Sequence, residues 1–248
     1  MSDVSALPGI GELIGRGCEA DVYSLGESMV FRAERVHPGR TTERALLALA
    51  AARQGGVPVP RLARSVTFAG RHGIVMERLE PTNLLQYLGR WPWLVQRAGR
   101  FMGRLHAQMH RVLAPLDLPS LEQIAYEAGP AGHPKPPRAR RKDFRLLHGD
   151  FTPANLLWHP YSQRWVIVDW GRALSGDPEA DVALTLVAIS TGAPPESALP
   201  MVRSMAPVGR RLLASSYLQG YLQCGTLDCT AVREWVGFWD FFRKYGVT

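Results

Sequence analysis

The sequence is poor in cysteine, in lysine and in long apolar runs, and the shortages of cysteine and of apolar runs each exclude a class of protein. Its 248 residues contain three cysteines, Cys18, Cys224 and Cys229. Because the number is odd and no CxxC spacing occurs, neither a disulfide framework nor a zinc site is predicted. A reducing, cytoplasmic location is expected.

No apolar run approaches the length of a bilayer span. The longest run covers residues 45–52, whereas a transmembrane helix needs about 20 apolar residues. The N-terminus carries Asp3 and Glu12 and has no basic cluster before an apolar stretch, so a secretory signal is not predicted. We therefore expect no membrane partner.

Positive charge dominates, and arginine carries nearly all of it. Only three of the 29 basic residues are lysines, and the formal net charge is +7. A basic surface favours anionic partners, although a solvated basic face is the commoner meaning of such a surplus. We interpret the basic residues 138–142 as part of a proline-rich loop or insertion at 114–142. No nucleic-acid partner is expected.

The apolar pattern predicts a strand-rich first part and a helix-rich second part. Short apolar segments bounded by turn residues predict strands at residues 21–25, 28–32, 64–68, 73–78, 156–159 and 165–169. Helical spacing predicts helices from Thr41 or Thr42 to Gly55, and within residues 89–113, 181–191 and 209–245, the last with a break near Gly225. This order favours a small mixed lobe and a larger, mainly helical one.

One segment, residues 148–158, carries the residue types that phosphoryl transfer requires. Asp150 and Asn155 lie on one short loop, and the hairpin that follows returns the chain so that Asp169 faces this loop. A carboxylate is needed to orient the attacking hydroxyl, and oxygen ligands are needed to hold magnesium against nucleotide phosphates. We predict that Asp150 is the base and that Asn155 and Asp169 are the metal ligands.

The same segment, together with residues 166–171 and 175–183, resembles the catalytic loop and metal-binding aspartate of the aminoglycoside phosphotransferase-like family of small-molecule kinases. The resemblance implies a two-lobed, protein-kinase-like α+β fold, with an N-lobe at 1–79 and a C-lobe at 80–248. It implies ATP and Mg²⁺ as cofactors and a small-molecule hydroxyl as acceptor. In this family's pattern, Asp181 orders the catalytic loop.

The first lobe is similar to the same family at three places, of which the first is the helix segment 43–47 followed by residues 57–60, similar to the family's lobe-linking pattern. Gly15 and Gly17 resemble the nucleotide loop, where glycines let backbone amides approach phosphates. Residues 74–79 resemble the strand leading to the hinge. The resemblance therefore implies that Met76, Glu77 and Leu79 lie at the nucleotide, with the backbone of 77–79 at the adenine.

Arg32 departs from the family's pattern, which usually has a lysine at this position of the third strand. Arginine keeps the positive charge and can bind carboxylate or phosphate through two nitrogens. We expect Arg32 to contact the phosphates and Glu43, on the following helix, to position it.

Two other functions stay open from the sequence. A pseudokinase that regulates a partner is suggested by Arg32, and a nucleic-acid-binding module by the basic charge. The complete set of Asp150, Asn155 and Asp169 argues against both, since neither function needs a magnesium site. Residues 183–248 contain four acidic and six basic residues, which disfavours polycationic aminoglycosides as acceptors and favours a neutral or anionic alcohol. A monomer or homodimer is expected.

Several histidines and tryptophans are interpreted as structural. His106 and His110 have the i, i+4 spacing of a metal-binding helix face, but no third ligand is evident, so solvated or buried histidines are favoured. His148 is also expected to be structural. Four tryptophans are expected to be core residues or pocket walls: Trp91, Trp93, Trp235 and Trp239.

Overall fold

A five-stranded antiparallel sheet forms the first part of the chain. The computed structural model describes residues 9–17, 20–35, 40–127, 135–137, 144–194 and 198–244. The sheet has the order β1-β2-β3-β5-β4. Its strands are β1 (Ile10–Arg16), β2 (Ala20–Leu25), β3 (Met29–Glu34), β4 (Leu62–Phe68) and β5 (Arg71–Glu77). The hairpin between β2 and β3 turns at Gly26, whose φ of 64° is readily adopted by glycine.

Alternation along β3 decides which residues face the rest of the molecule. Phe31 and Ala33 pack with Val66 and Val75 in a small core on one side of the sheet. Because side chains alternate between the two faces of a strand, Arg32 points to the other side. There it lines a cleft between the sheet and the second part of the chain.

Eight helices occur in the described residues. They are α1 (Arg40–Gln54), α2 (Leu84–Arg90), α3 (Val95–Met109), α4 (Leu121–Glu127), α5 (Pro178–Thr191), α6 (Pro200–Ser204), α7 (Ala206–Leu222) and α8 (Cys229–Lys244). Helix α1 carries buried Ala45, Ala48 and Leu49, which share one core with the C-terminal helices. Two small hairpin-like sheets complete the fold, formed by β6 (Arg145–Leu147) with β9 (Leu174–Gly176) and by β7 (Leu156–His159) with β8 (Arg164–Ile167).

The two-part α+β architecture predicted from the sequence is confirmed, with three local corrections. Helix α4 lies inside the segment 114–142 that was expected to be a loop. The helical stretch 89–113 is interrupted by a 3-10 turn at Pro92–Leu94. Helix α5 begins at Pro178, before the predicted start, because proline suits the first turn, where its missing N–H leaves no backbone bond unmade.

Two sequence expectations cannot be placed in full. The basic residues 138–142 and the cysteine at position 18 lie outside the described residues. Within the part of the chain that is described, no helix has the length and apolarity needed to cross a membrane.

Candidate active site

The loop that carries Asp150 depends on the glycine before it. Gly149 follows β6 and has a φ of 76°, and a Cβ added there would collide with the carbonyl oxygen of Arg172. Any other residue would therefore be strained and would push the loop off the turn at Trp170–Arg172. The chain then forms a 3-10 turn at Pro153–Asn155 before entering β7.

Asp150 and Asn155 form one hydrogen-bonded unit. The Nδ2 group of Asn155 donates to the Asp150 backbone oxygen at 2.9 Å and to its Oδ2 at 3.0 Å. Burial raises the pKa of the Asp150 carboxyl above its ordinary value, against the lowering effects of nearby His148 and of the Asn155 hydrogen bond. A carboxyl with a raised pKa is a stronger proton acceptor than an exposed aspartate.

Asp169 is brought to the same loop by the hairpin β7–β8. The N–H of Val168 donates to the backbone oxygen of Asn155 at 3.0 Å, and a ring nitrogen of His148 lies 2.9 Å from the Val168 oxygen. Asp169 itself has φ 62° and ψ 63°, a left-handed conformation that is unusual for a residue other than glycine and is concentrated at functional sites. The structure therefore brings together the three residues selected from the sequence.

Arg32 pairs with Asp169 across the cleft. Its Nη2 lies 2.5 Å from Oδ1 of Asp169, and the Arg32 side chain is 13% exposed. The expected pairing with Glu43 is wrong for this structure: Glu43 is exposed in the first turn of α1. Side chains alternate between the two faces of β3, and this directs Arg32 toward the chain after β8. Asp169 therefore pairs with Arg32, where Glu43 was expected to do so.

The cleft beside this ion pair is narrow, with a cavity of about 20 Å³. Such a volume holds little more than a water molecule. Its walls come from the sheet, from α1 and from the chain after β8, and they are Arg32, Ala45, Leu49, Pro60, Ile74, Met76, Val168, Asp169 and Trp170. Met76 thus lies on the cleft wall.

The Glu77 side chain braces the hinge and does not face the cleft. It accepts from the Arg61 backbone at 2.6 Å and from Arg61 Nε at 2.9 Å, and its Oε2 lies 3.2 Å from His159. Burial alone would raise the Glu77 pKa, but these hydrogen bonds outweigh it and the pKa is lowered. The side chain therefore stays ionised and ties β5 to the residue before β4 and to the end of β7.

Of the three hinge residues, only Leu79 keeps an available N–H group. The N–H of Glu77 donates to Arg61 and that of Arg78 donates to Ser28. In the described part of the chain, the N–H of Leu79 has no acceptor. Among the backbone N–H groups of 77–79, that of Leu79 is therefore the one available to an adenine ring.

The glycines of the predicted nucleotide loop lie at the end of β1 and directly after it. Gly15 pairs with Val22 at the end of β1, and the N–H of Gly17 donates to the Ala20 oxygen at 2.9 Å. Arg35 donates to the Gly17 oxygen at 3.0 Å, which ties the loop to the end of β3. The two residues between Gly17 and Ala20 lie outside the described residues.

Asp181 anchors the loop that carries Asp150, as the family resemblance implied. Its Oδ2 accepts from the His148 N–H at 2.7 Å and its Oδ1 from the Gly149 N–H at 3.1 Å. The same Oδ2 lies 3.1 Å from Nε2 of His106 and 3.3 Å from Nε2 of His110. One carboxylate thus receives four donors and fixes the backbone just before Asp150.

The sequence did not predict that His106 and His110 hydrogen-bond to Asp181. Of the two expected placements, solvated or buried, the structure shows the buried one. Burial lowers the pKa of His106 to about 3, so its ring is neutral and Nε2–H donates to Asp181. Its Nδ1 then accepts from the hydroxyl of Tyr217 at 2.6 Å, and His110 is paired in the same way with Tyr221 at 2.8 Å. The i, i+4 spacing was the available signal, but its third partner lies more than 70 residues away and could not be chosen from the sequence.

The tryptophans divide into two groups. Trp235 is 1% exposed and Trp239 packs against the main core, so their interpretation as core residues is confirmed. Trp91 and Trp93 are 36% and 69% exposed, and for them a core position is wrong. They lie at the 3-10 turn before α3.

Known structures share the fold over nearly the whole chain. An aminoglycoside-3'-phosphotransferase of type VIII superposes with a TM-score of 0.62 at 17% identity, covering 95% of this chain and 94% of that one. The GDP and kanamycin complex of APH(2")-IIIa gives 0.59 at 16% identity, covering 95% and 84%. The streptomycin–ATP ternary complex of APH(2")-IIa gives 0.55 at 14% identity, covering 96% and 89%. At these identities the likeness concerns the fold.

One curated relative is a probable bifunctional tRNA threonylcarbamoyladenosine biosynthesis protein of Methanocorpusculum labreanum. It is 29% identical over 174 residues, which is 66% of this chain and 25% of that protein. The chain thus spans about a quarter of the relative's length.

A family model covers most of the chain, including the loop with Asp150, Asn155 and Asp169. The model of the phosphotransferase enzyme family, APH, matches residues 11–131 and 121–214. The match begins in β1, ends in α7 and includes Asp181, and it agrees with the kinase-like fold found by structural comparison. The chain therefore belongs to the APH phosphotransferase enzyme family.

Proposed function

We propose that this protein transfers the γ-phosphoryl group of ATP, with magnesium, to a hydroxyl group of a small molecule. One observation carries the proposal: Asn155 is hydrogen-bonded to Asp150 and, through its backbone oxygen, to Val168, so that the neighbouring Asp169 lies at the same loop and pairs with Arg32 across the cleft. Family membership supports phosphoryl transfer as the reaction. The residues around the cleft support the roles given below.

Asp150 orients the acceptor and accepts its proton. Asn155 holds Oδ2 of Asp150, whereas Oδ1 has no hydrogen-bond partner among the described residues and is available to the acceptor hydroxyl. The raised pKa of this carboxyl makes it a better base. As the new O–P bond forms and the bond to the leaving ADP breaks, the hydroxyl proton passes to Asp150.

The oxygen atoms beside Asp150 are suited to bind a hard cation. Asn155 uses its Nδ2 group toward Asp150, which leaves its Oδ1 free of partners in the described region, and Asp169 contributes a carboxylate that is 40% exposed. Amide and carboxylate oxygens are the ligands that magnesium prefers. Bound there, the ion would neutralise charge on the nucleotide phosphates. Asn155 and Asp169 would hold it.

The hinge and Arg32 would bind the nucleotide. The N–H of Leu79 is the available donor for an adenine ring nitrogen, and Arg32 supplies the cation for the phosphates. Two of the structural relatives were solved with GDP and with ATP respectively, which supports use of a nucleotide here. Arg32 now pairs with Asp169, so it would exchange this partner for phosphate oxygens when the nucleotide binds.

Magnesium and ATP together are expected to stabilise the fold. At about a hundred times the dissociation constant, a ligand of the folded state adds about 2.7 kcal/mol to the free energy of unfolding. A thermal-shift experiment with ATP, with and without magnesium, measures this effect. Asn155→Ala is expected to reduce the magnesium-dependent part of the shift, and an unchanged melting temperature in wild type would contradict the nucleotide site.

Arg32→Ala is expected to weaken ATP binding or turnover roughly ten- to a hundredfold, since a hydrogen bond to a charged group contributes about 1.5–3 kcal/mol. Arg32→Lys should retain part of the activity because it keeps the charge. Isothermal titration with ATP and initial rates provide the two measurements. Arg64→Ala, which changes an exposed arginine on β4, is the matched control. Equal ATP affinity and equal turnover in Arg32→Ala and wild type would remove Arg32 from the site.

The acceptor we propose is a neutral or anionic alcohol. The chain from 183 to 248 has more basic than acidic residues, and a cationic acceptor would be repelled by this surplus. A phosphorylation screen over sugars, sugar acids and other small alcohols, with kanamycin included as the cationic comparison, tests the assignment. Faster phosphorylation of kanamycin than of any neutral or anionic alcohol would contradict it.

A further inference from the structure

Helices α3 and α7 pack side by side and run in the same direction. Gly99 of α3 lies against Leu213 and Ser216, and Gly103, one turn later, lies against Tyr217 and Gly220. Because the contacts advance together along both helices, the helices are parallel. The turn before α3 and the start of α7 therefore lie at the same end of the pair.

Large apolar side chains are exposed at this end. Trp93 and Met201 are each 69% exposed and Leu199 is 65% exposed. The full set, which we call the helix-start tip, is Trp91, Trp93, Leu199, Met201, Met205 and Val208. Scattered apolar residues on a surface need no explanation, but a group at one end of a helix pair marks an interaction site.

The tip is also basic. No Asp or Glu occurs in residues 81–116 or 198–227, the two stretches to which its residues belong. Arg90, Arg97 and Arg203 are exposed there, and none of the three has an ion-pair partner within the described ranges. Arg90 lies over the Trp91 ring at 5.6 Å, so cationic and aromatic groups share one surface.

This combination distinguishes between possible occupants. RNA would use the arginines and tryptophans but would gain little from exposed Leu199, Met201 and Met205. A second copy of the chain would bring two acid-free arginine surfaces together, which like-charge repulsion opposes. A partner helix needs a groove, and α3 and α7 are packed too closely to leave one, since a Cβ at Gly103 or Gly220 would collide with the facing backbone.

We propose that the helix-start tip is a docking surface for membranes that contain anionic phospholipids. Tryptophan favours the boundary between headgroups and acyl chains, and leucine and methionine beside it would enter the same layer. The arginines would bind the lipid phosphates, and positive side chains near such a surface each add to binding. The expectation of no membrane partner rested on the absence of a membrane-spanning run and of a secretory signal, and neither bears on binding at a membrane surface.

Co-sedimentation with vesicles tests the proposal. The full chain is mixed with vesicles of phosphatidylcholine alone and with vesicles of phosphatidylcholine and phosphatidylglycerol in equal parts. Binding is expected to the second kind, to weaken as salt is raised, and to shift the tryptophan emission to shorter wavelength. Arg97→Ala and Arg203→Ala are each expected to reduce the partition coefficient roughly fivefold.

The double variant Trp93→Ser, Met205→Ser is expected to lower the partition coefficient at least about tenfold, because two large apolar groups leave the layer. Leu116→Ser is the matched control, since Leu116 is fully exposed beyond the other end of α3. Its binding should equal that of wild type. Melting temperatures of all variants identify any loss that comes from unfolding.

Three results would overturn the proposal. The first is an absence of binding to the anionic vesicles. The second is equal binding by wild type and by the folded double variant. The third is a concentration-dependent dimer in sedimentation that the double variant abolishes. Retention of a structured RNA without vesicle binding would assign the tip to nucleic acid instead.

Discussion

Asp150→Asn is expected to lower kcat by about a thousandfold while leaving the affinity for ATP nearly unchanged. The substitution keeps the size of the side chain but removes the carboxylate, and general base catalysis contributes about 10²- to 10⁴-fold. Nucleotide binding should persist because Arg32, Asn155, Asp169 and the Leu79 N–H are untouched. Rate measurements with a responsive acceptor, together with titration of ATP, separate the two effects.

Asp117→Asn provides the matched control, since Asp117 is an exposed aspartate outside the cleft. It should leave both kcat and ATP affinity at the wild-type values. Comparable turnover by the Asp150→Asn and wild-type proteins would remove Asp150 from the mechanism. Complete loss of ATP binding in Asp150→Asn would instead show that the residue holds the site together.

The pH dependence of wild-type turnover gives a second test of Asp150. Burial raises the pKa of this carboxyl, so it becomes protonated at a higher pH than an ordinary aspartate does. The base is then lost as the pH falls through that raised value, and kcat/KM should decline on the acid side above the pH at which exposed aspartates titrate. A profile that stays flat down to the ordinary aspartate pKa would contradict the base role.

Asp181→Ala is expected to lower the free energy of unfolding by about 3–5 kcal/mol, which is typical for removing one member of a buried charged network. The variant leaves the N–H groups of His148 and Gly149 and two imidazoles without their acceptor. Because the loop before Asp150 loses its anchor, turnover should also fall. Urea denaturation followed by circular dichroism measures the stability.

The matched control for Asp181 is Asp240→Ala. Asp240 forms an exposed pair with Arg243 at 3.6 Å, and exposed pairs contribute at most about 1 kcal/mol. A similar loss of stability in both variants would show that the four donors around Asp181 add nothing beyond the removal of an acidic side chain.

The pH dependence of the Asp181 contribution follows from the direction of its shift. Burial raises the pKa of this carboxyl, but the hydrogen bonds from His106 and His110 outweigh it and the pKa lies well below the ordinary value. A lowered pKa in the folded state stabilises the fold above the unfolded-state value and loses that effect only as the pH falls through the folded value. The difference between wild type and Asp181→Ala should therefore be constant around neutral pH and shrink only in strong acid.

The sequence by itself determined several strands and helices and the chemistry of the central loop. Period-two segments around Gly26 gave the β2–β3 hairpin, and helical spacing in residues 41–55 gave α1. Such signals are local, because the side chains of a strand or helix sort between buried and exposed faces over a few residues. Asp150, Asn155 and Asp169 could be selected for a similar reason: one loop and one hairpin bring them together.

Only the tertiary structure decided the long-range partners. Arg32 and Asp169 are 137 residues apart, and the choice of Asp169 over Glu43 depends on how the sheet packs against the chain after β8. The four donors to Asp181 come from two separate segments, and the exposure of Trp93 depends on which helices fail to cover it. Contacts of this kind follow from the packing of whole elements, which local periodicity does not encode.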